Sequence, residues 1–417
     1  MSEAAVARAA PGAPSRDARR ARIAVAALFL TNGAVFFNVV PRYPQIKDEL
    51  GLSNAVLGTA LAGYPVGAVL AGLFAGAAVR RFGSARPAAF GIVVTTVATL
   101  AVPVAPTWFA LAAALFVVGA LDSVVDVAQN AHGLRVQRLY GRSIVNSLHG
   151  VWSIGAVLGG LMGSAAAGLG IPLVIHLAVS AVLFGSVALV AHRFLLPGPE
   201  DAERSGDAQD VAAADGHAAA PSARHRVRRG FTGPAVRMLA ALGVLAACGA
   251  LVEDAGASWG AVYLSDDLHA GAATAGLAVV ALQAAMTVGR LTGDRVVDRF
   301  GRRAVARAGG ALAAVGMGAA LAVPSVPAAL AGFALAGLGV ATLVPAAMHA
   351  ADELPGLPAG TGLTVVSWLL RGGFLLSPPL VGLVADLAGL RVGLLSVVLA
   401  GVTTTVLARA LTNRGPA

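Results

Sequence analysis

Long apolar runs recur along almost the whole chain, and they restrict the fold more than any other feature of the sequence. Most of these runs contain about 18 to 25 mostly apolar residues, the length that crosses a bilayer as a helix. Because a backbone inside the bilayer must satisfy its own hydrogen bonds, the sequence predicts an all-α membrane protein with twelve transmembrane helices. The runs lie at 23–43, 54–79, 87–105, 108–132, 144–167, 171–195, 234–264, 271–297, 304–322, 327–350, 359–386 and 390–411.

Composition and charge exclude several other classes of protein. Of the 417 residues, 57% are hydrophobic and only 12% are charged, which is unlike ordinary soluble domains. The net charge of +9 comes largely from arginines in short loops, the pattern that the positive-inside rule describes for cytoplasmic loops, so it does not indicate nucleic-acid binding. The single cysteine, Cys248, excludes a disulfide framework and a thiolate metal site.

A polar segment separates the runs into two sets of six. Residues 197–230 are rich in Ala, Pro and charged side chains and contain too few apolar residues to form a core. We therefore expect a flexible cytoplasmic linker, an uncleaved first helix and two cytoplasmic termini. The expected divisions are a tail at 1–22, a bundle at 23–195, the linker at 196–230, a second bundle at 231–412 and a tail at 413–417.

The two sets of runs also resemble each other. Adding 218 to the residue number carries "DELGLSNAVLG" onto "DDLHAGAATAG" and "LFAGAAVRRFG" onto "LTGDRVVDRFG" without a gap. Asp48 then meets Asp266, and Gly58 meets Gly276. An internal repeat of this kind is typical of secondary transporters, with binding near the midplane between the repeats. It predicts two pseudo-symmetric six-helix bundles around a central pathway.

The loop after the eighth run carries the most specific motif. "GRLTGDRVVDRFGRR", at 289–303, resembles the loop that follows helices 2 and 8 in the major facilitator superfamily. With the six-plus-six pattern, the resemblance covers the whole chain and implies the fold of that family. The positions that match the motif are Asp298, Arg299 and Gly301, and in the first copy Gly76, Arg81 and Gly83. Arg80 replaces the family's Asp in the first copy, and Asp294 replaces the leading Gly in the second.

These loops are expected to act as cytoplasmic gates. Gly permits a tight turn at the membrane edge, and Asp and Arg can form contacts that break when the two halves move. The alternative is that their positive charge only fixes the topology. Arg290 and Asp294 stand four residues apart, so we expect them to pair on one helical face and support the loop.

The fourth and fifth runs resemble a branch of the superfamily near L-fucose permease and related bacterial permeases of unassigned substrate. The resemblance consists of an acidic residue and an Asn late in helix 4, followed by a His-x-x-Trp-Ser stretch that opens helix 5. The matching residues are Asp126, Asn130, His149, Trp152 and Ser153. The resemblance implies that they lie along the substrate pathway, but it does not identify a substrate.

The fourth run contains polar residues that are costly inside a membrane. A charged side chain at the bilayer centre costs about 2.5–3.5 kcal/mol on insertion scales, so such residues usually face a cavity or find a partner. At about 100° per residue, four of them share one arc of the helix and should face the pathway. They are Asp122, Asp126, Gln129 and Asn130. Burial favours the protonated form of a carboxyl group, so either Asp is a candidate for proton coupling. The alternative is a structural hydrogen bond, for example to Asn146 or His149.

The second half has its own intramembrane charges. Glu253 and Asp254 lie on helix 7, and we expect one of them, with preference for Glu253, to face the pathway and contribute to proton coupling. Arg371 lies about 20 Å along helix 11, near the midplane. We expect it to pair with Glu253 or Asp254, or to hold an anionic group of the substrate.

Four further side chains are candidates for the pathway. Asn38 and Gln283 are uncharged polar residues inside apolar runs. Trp259 and Trp368 can stack on a ring of the solute, although tryptophan near helix ends is more often an interface anchor, the interpretation that we favour for Trp259.

The sequence indicates transport rather than catalysis. No GxxxxGK[ST] motif, catalytic motif or metal-ligand cluster is evident, so we expect a gradient-driven transporter in the cytoplasmic membrane, without cofactor or enzymatic activity. Lipid, protons and a small solute are the expected partners of a monomer. Proton-driven efflux of a metabolite or drug is slightly preferred, because "GAVLGG" at 155–160 partly matches an antiporter motif that has Pro in place of Ala156. The alternatives are proton-coupled uptake of a sugar-like solute and, more remotely, a non-transporting sensor.

Overall fold

A computed structural model describes residues 15–140, 143–198, 233–354 and 360–411. Within these ranges the chain forms helices and no strands, as the apolar runs predict. We number the apolar helices α1 (Arg16–Glu49), α2 (Asn54–Phe82), α3 (Ala85–Ala101), α4 (Trp108–Tyr140), α5 (Val145–Gly168), α6 (Leu173–His192), α7 (Ala235–Asp267), α8 (Ala272–Phe300), α9 (Arg302–Ala322), α10 (Val326–Asp352), α11 (Thr361–Ala388) and α12 (Leu390–Ala410). All except the shorter α3 are long and apolar enough to cross a membrane. The twelve-helix fold is therefore confirmed.

Some helix ends differ from the expected ones. Helix α1 begins at Arg16, inside the expected tail, because the Ser15 side chain accepts a hydrogen bond from the Ala18 N–H at 3.1 Å and caps the helix. Helix α4 continues to Tyr140, which places the midpoint of the helix near Val124. Most of the expected linker and the tail at 413–417 lie outside the described residues.

The helices pack in the same way in the two halves. In the first half α1 packs against α5, α2 against α4, and α3 against α6; in the second, α7 packs against α11, α8 against α10, and α9 against α12. Between the halves α5 packs against α8, and α2 against α11. Each contact therefore has a counterpart under the 218-residue offset.

The repeated loops share an unusual backbone conformation. Gly83 ends α2 with φ 73°, and Gly301 ends α8 with φ 81°. Residues with a Cβ rarely adopt such positive φ values, so glycine is required in both turns. Gly83 and Gly301 are 218 residues apart, so they occupy equivalent positions in the two halves.

At one end of the molecule, polar contacts join the two halves. Lys47, at the end of α1, forms an ion pair with Asp266, at the end of α7. Asp386 of α11 accepts hydrogen bonds from the N–H groups of Asn54 at 2.8 Å and Ala55 at 2.9 Å, so a carboxylate of one half caps a helix of the other. We call this end the closed end.

Two glycines bring the halves into close contact near the closed end. A Cβ atom on Gly58 would lie 2.2 Å from the carbonyl oxygen of Pro378 on α11. At the equivalent position, a Cβ atom on Gly276 would lie 2.2 Å from the Oγ of Ser164 on α5. No larger residue fits without a shift of the helices, because both distances are far below van der Waals contact.

Candidate functional site: polar groups between the two halves

Asp122 is held by side chains from three helices of the first half. Asn32 of α1 donates a hydrogen bond from Nδ2 to Asp122 Oδ1 at 3.0 Å. The Oδ1 atom of Asn32 in turn accepts one from the indole N–H of Trp152 on α5 at 3.1 Å. The hydroxyl of Tyr64 on α2 also interacts with the Asp122 carboxylate. This carboxylate is fixed in position and only partly exposed.

Asp126 lies one turn further along α4 and begins a hydrogen-bonded row. The Asn130 amide donates to Asp126 Oδ1 at 3.0 Å, and Asn130 Oδ1 lies 3.1 Å from Nε2 of His149 on α5. Asp126 and His149 are exposed to solvent. The row therefore presents a carboxylate, an amide and an imidazole to the space between the halves.

Arg371 of the second half faces this row. Its guanidinium interacts electrostatically with Asp126, and its Nη1 atom lies 3.9 Å from the position that a Cβ atom on Gly72 of α2 would take. Among the described residues, no carboxylate lies within ion-pair distance of Arg371. The expected pair with Glu253 or Asp254 is therefore wrong. Arg371 points across the pathway to the opposite half.

Glu253 has a different partner. The Arg290 guanidinium of α8 donates from Nη2 to Glu253 Oε2 at 3.2 Å and from Nη1 to the Oγ of Ser153 on α5 at 3.5 Å. Gln283 donates to the other carboxylate oxygen at 3.4 Å. The expectation that Arg290 pairs with Asp294 and supports the loop is wrong, because Arg290 instead connects the two halves at the pathway.

Asp254, the neighbour of Glu253, is partly buried and has other partners. It accepts a hydrogen bond from Ser258 Oγ at 3.3 Å, and Ser377 of α11 lies next to it. Its Oδ2 atom has no hydrogen-bond partner among the described residues. Adjacent residues of a helix point about 100° apart, which explains why these two neighbouring carboxylates have different surroundings.

Several expected pathway residues lie elsewhere. Gln129 is 1% exposed and donates to the Leu28 carbonyl of α1 at 3.1 Å, so it leaves the polar stripe. Asn38 is 1% exposed and bridges Ser180 at 2.6 Å and His176 at 2.8 Å, inside the first half. Both amides therefore join helices within the first half.

The two tryptophans of the second half differ in exposure. Trp259 is 0% exposed and packs between Gly58 and Gly382, so the interface-anchor interpretation is wrong. Trp368 is 51% exposed. Asn146 is also exposed and has no hydrogen-bond partner among the residues described.

The repeated loops are open to solvent at the end opposite the closed end. Arg81 and Arg299 each lie over the following phenylalanine ring, at 5.6 and 5.5 Å from the ring centroid. Asp294 and Asp298 are exposed and form no ion pair with a described residue. Near Gly76 a Cβ atom would meet only the side chain of Arg80, at 3.5 Å. The charge contact that we expected of a gate is absent from this part of the structure in the observed state.

Sequence reasoning missed Asn32 and Tyr64. Asn32 is an amide inside an apolar run, the same signal that selected Asn38. Tyr64 carries no such signal, because tyrosine is common in membrane helices near the interface. Only the packing of α1 and α2 against α4 shows that Asn32 binds Asp122 and that Tyr64 interacts with it.

The model of the Major Facilitator Superfamily matches residues 25–253 and 239–417, which together cover nearly the whole chain. The chain belongs to this superfamily of membrane transporters. It is 30% identical to an uncharacterized transporter, y4wD, of Sinorhizobium fredii, over 88% of this chain and 92% of the relative. It is 31% identical to the membrane protein MosC of Rhizobium meliloti, over 91% and 87% of the two chains.

Solved structures show the same fold. The nucleoside transporter NupG superposes with a TM-score of 0.68 at 13% identity, covering 95% of this chain and 98% of NupG. FucP in the outward conformation superposes with a TM-score of 0.59 at 14% identity, covering 95% and 100%. The expected resemblance to the superfamily, with FucP among its neighbours, is confirmed. The chain is a membrane transporter of this family and not an enzyme.

Proposed function

We propose that the protein works as a monomer that moves a small organic solute across the cytoplasmic membrane by alternating access, coupled to protons. The observation that carries this proposal is the electrostatic interaction of Asp126 of the first half with Arg371 of the second, whose guanidinium approaches Gly72 of the first half, in a space that is exposed to solvent while the closed end is joined. Charges that interact across the two halves can change partners when the halves move. Each set of charge contacts then favours a different conformational state.

The closed end faces the outside in this proposal. Arginines cluster around the turns that follow α2, α4 and α8, and each turn lies at the end of a helix that starts at the closed end. Because cytoplasmic loops carry excess Lys and Arg, this orientation places both termini in the cytoplasm. The described state is then open to the cytoplasm.

Asp126 is the proposed proton carrier. It is exposed in this state, accepts a hydrogen bond from Asn130 and interacts electrostatically with Arg371 of the other half. Closure of the cytoplasmic side would rearrange the contacts between the halves, and loss of the Arg371 interaction in less polar surroundings would then favour proton uptake. Asp122, which its neighbours hold in place, is assigned the role of positioning the row.

Efflux by proton antiport is the favoured direction. Asp126 belongs to the same row that a solute in the pathway would contact, so proton and solute would compete for one set of groups. When proton and solute compete for one set of groups, binding of one favours release of the other, so the two are exchanged across the membrane. The second candidate is proton-coupled uptake of a hydroxylated solute, which the amide and imidazole of Asn130 and His149 favour as hydrogen-bonding groups.

Reconstitution into vesicles with an imposed pH gradient tests the proposal. Solutes are scanned while internal pH is followed, and Asp126→Asn is compared with Asp352→Asn, which changes an exposed carboxylate at the end of α10, outside the pathway and the gate loops. We expect Asp126→Asn to keep solute exchange and to lose gradient-driven flux, while Asp352→Asn keeps both. Gradient-driven flux in Asp126→Asn would exclude this residue as the carrier. Solute moving with protons would establish uptake, and no flux for any solute would indicate a sensor.

A further inference from the structure

An apolar groove lies on the outside of the first half, between α1 and α6, at the end opposite the closed end. Its volume is about 510 Å³. Apart from Arg20 and Ser186, the described residues that line it are apolar, and Ile23, Leu183 and Val190 are exposed among them. In a chain that spans a membrane, an exposed apolar surface of this kind faces lipid.

The groove is about as long as one leaflet of a bilayer is thick. Along α6 it extends from Leu183 to Phe194, just beyond the helix end, which corresponds to about 16 Å at the helical rise. The hydrocarbon core of a bilayer is about 30 Å thick, so one leaflet contributes about 15 Å. The acyl chain of a lipid can therefore lie along the whole groove.

Arg20 lies at the mouth of the groove and supplies a positive charge. It is exposed, and it forms no ion pair with another described residue. Residues 16–22 contain four arginines and one acidic residue, Asp17, and Arg193 is exposed at the adjacent end of α6. The apolar groove therefore ends at a surface with an excess of positive charge.

We propose that this groove binds an anionic phospholipid, whose acyl chain lies along α6 and whose phosphate pairs with Arg20. A guanidinium offers parallel N–H donors that match two oxygens of a phosphate. The excess positive charge favours a lipid with a net negative charge over phosphatidylcholine, whose own ammonium group it repels. In the orientation proposed above, the lipid comes from the cytoplasmic leaflet. The site is separate from the central pathway, so the proposal depends neither on the solute nor on proton coupling.

The second half lacks this combination at the equivalent positions. Under the offset of 218, Arg20 corresponds to Met238 and Arg193 corresponds to Leu411. Both counterparts are apolar, so a phosphate would find no guanidinium at either of them. The proposed lipid site therefore belongs to the first half, and the outer surface of the second half serves as a control.

Fluorescence quenching by labelled lipid in reconstituted vesicles tests the proposal. The full-length protein carries Cys248→Ser and one fluorophore-labelled cysteine, either Val179→Cys on α6 or Val315→Cys on α9. Both valines are exposed, and each lies about 20 Å from the end of its helix that is opposite the closed end. Val179 lies one turn beyond Leu183, on the groove side of α6. The quencher is phosphatidylcholine with a nitroxide on its acyl chain, diluted with unlabelled phosphatidylglycerol or unlabelled phosphatidylcholine.

Phosphatidylglycerol should displace the quenching lipid preferentially beside the groove. At Val179→Cys we expect its apparent affinity to be roughly fivefold higher than that of phosphatidylcholine, the preference that one arginine at a membrane surface provides. At Val315→Cys the ratio of the two affinities should be near one. A ratio near one at both positions would overturn the proposal.

Three variants of the Val179→Cys protein locate the preference. Arg20→Gln should bring the ratio close to one, whereas Arg409→Gln, which removes an exposed arginine at the same end of α12, should retain it. Ser186→Phe places a larger side chain at an exposed wall position of the groove and leaves Arg20 unchanged. It should unfold at the parent Tm and lose the preference. A full preference in Arg20→Gln, or in Ser186→Phe with the parent Tm, would overturn the proposal, because the lipid would then bind without the arginine or outside the groove.

Discussion

His269 has the same left-handed backbone conformation as Gly51, which stands 218 positions earlier at the equivalent point of the first half. The φ angles are 52° for His269 and 59° for Gly51, and His269 is the only residue with a Cβ that has a positive φ in the described parts of the chain. Each residue follows the end of a helix, α1 or α7, at the closed end. The repeat therefore preserves the backbone turn although the residue has changed.

The turn predicts opposite effects for two substitutions. Gly51→His should lower the free energy of unfolding by about 1–2 kcal/mol, the cost of a left-handed conformation for a residue with a Cβ. The cost belongs to the backbone, because a Cβ atom on Gly51 would have no neighbour within 4 Å. His269→Gly should leave stability unchanged or raise it by up to about 1 kcal/mol. Thermal unfolding in detergent measures both, and a shift of the two variants in the same direction would contradict the argument.

Closure of the closed end should depend on Gly58. Gly58→Ala would place a Cβ atom 2.2 Å from the Pro378 carbonyl oxygen, so α2 and α11 must separate. The reporter is Ser377→Cys, introduced into a Cys248→Ser background. When Gly58→Ala is added, we expect this cysteine to react with a maleimide roughly tenfold faster than it does without Gly58→Ala, which corresponds to about 1.4 kcal/mol. Ser377 is 1% exposed in the parent. Gly372→Ala is the control, since no atom lies within 4 Å of its Cβ position. Equal labelling rates in the two variants would refute the prediction.

Asn32 should be important for the stability of the first half. Asn32→Ala removes the partner of the Trp152 indole N–H and a hydrogen bond to Asp122 at once. Leaving these groups unsatisfied should cost about 1–3 kcal/mol. Asn146→Ala changes an exposed amide without a partner among the described residues and should cost less than about 0.5 kcal/mol. The measurement is the Tm of each variant, and similar values for both would show that the Asn32 bridge contributes little.

The Glu253–Arg290 pair should show measurable coupling. A double-mutant cycle measures the coupling free energy between these two residues, with the variants Glu253→Gln, Arg290→Gln and both together. We expect about 1 kcal/mol, because the glutamate side chain is only 16% exposed. Arg302 and Glu353 form a control pair with the same 3.2 Å distance but 32% and 52% exposure. Its coupling should stay below about 0.5 kcal/mol. Equal coupling free energies in both pairs would show that burial of the side chains does not strengthen the ion pair.

The candidate site could be predicted only in part. Apolar runs containing a charged or amide residue selected Asp122, Asp126, Glu253 and Arg371, and the structure places Asp126 and Arg371 opposite each other. Their partners were predicted less well. Arg290 was assigned to a loop from its spacing to Asp294, but it reaches Glu253 and Ser153. Spacing describes one helix, whereas these contacts join three.

The sequence by itself determined the number of helices, their approximate positions and the division into two related halves. The physical reason is that the bilayer demands long apolar segments with internally satisfied backbones, and such segments are visible in one dimension. Only the tertiary structure decided which face of each helix meets the pathway, why Gln129 and Trp259 are enclosed and which residue each charge pairs with. Those outcomes depend on the rotation and packing of helices that are far apart in the chain, and small residues such as Gly58 and Gly276 set how closely the helices approach.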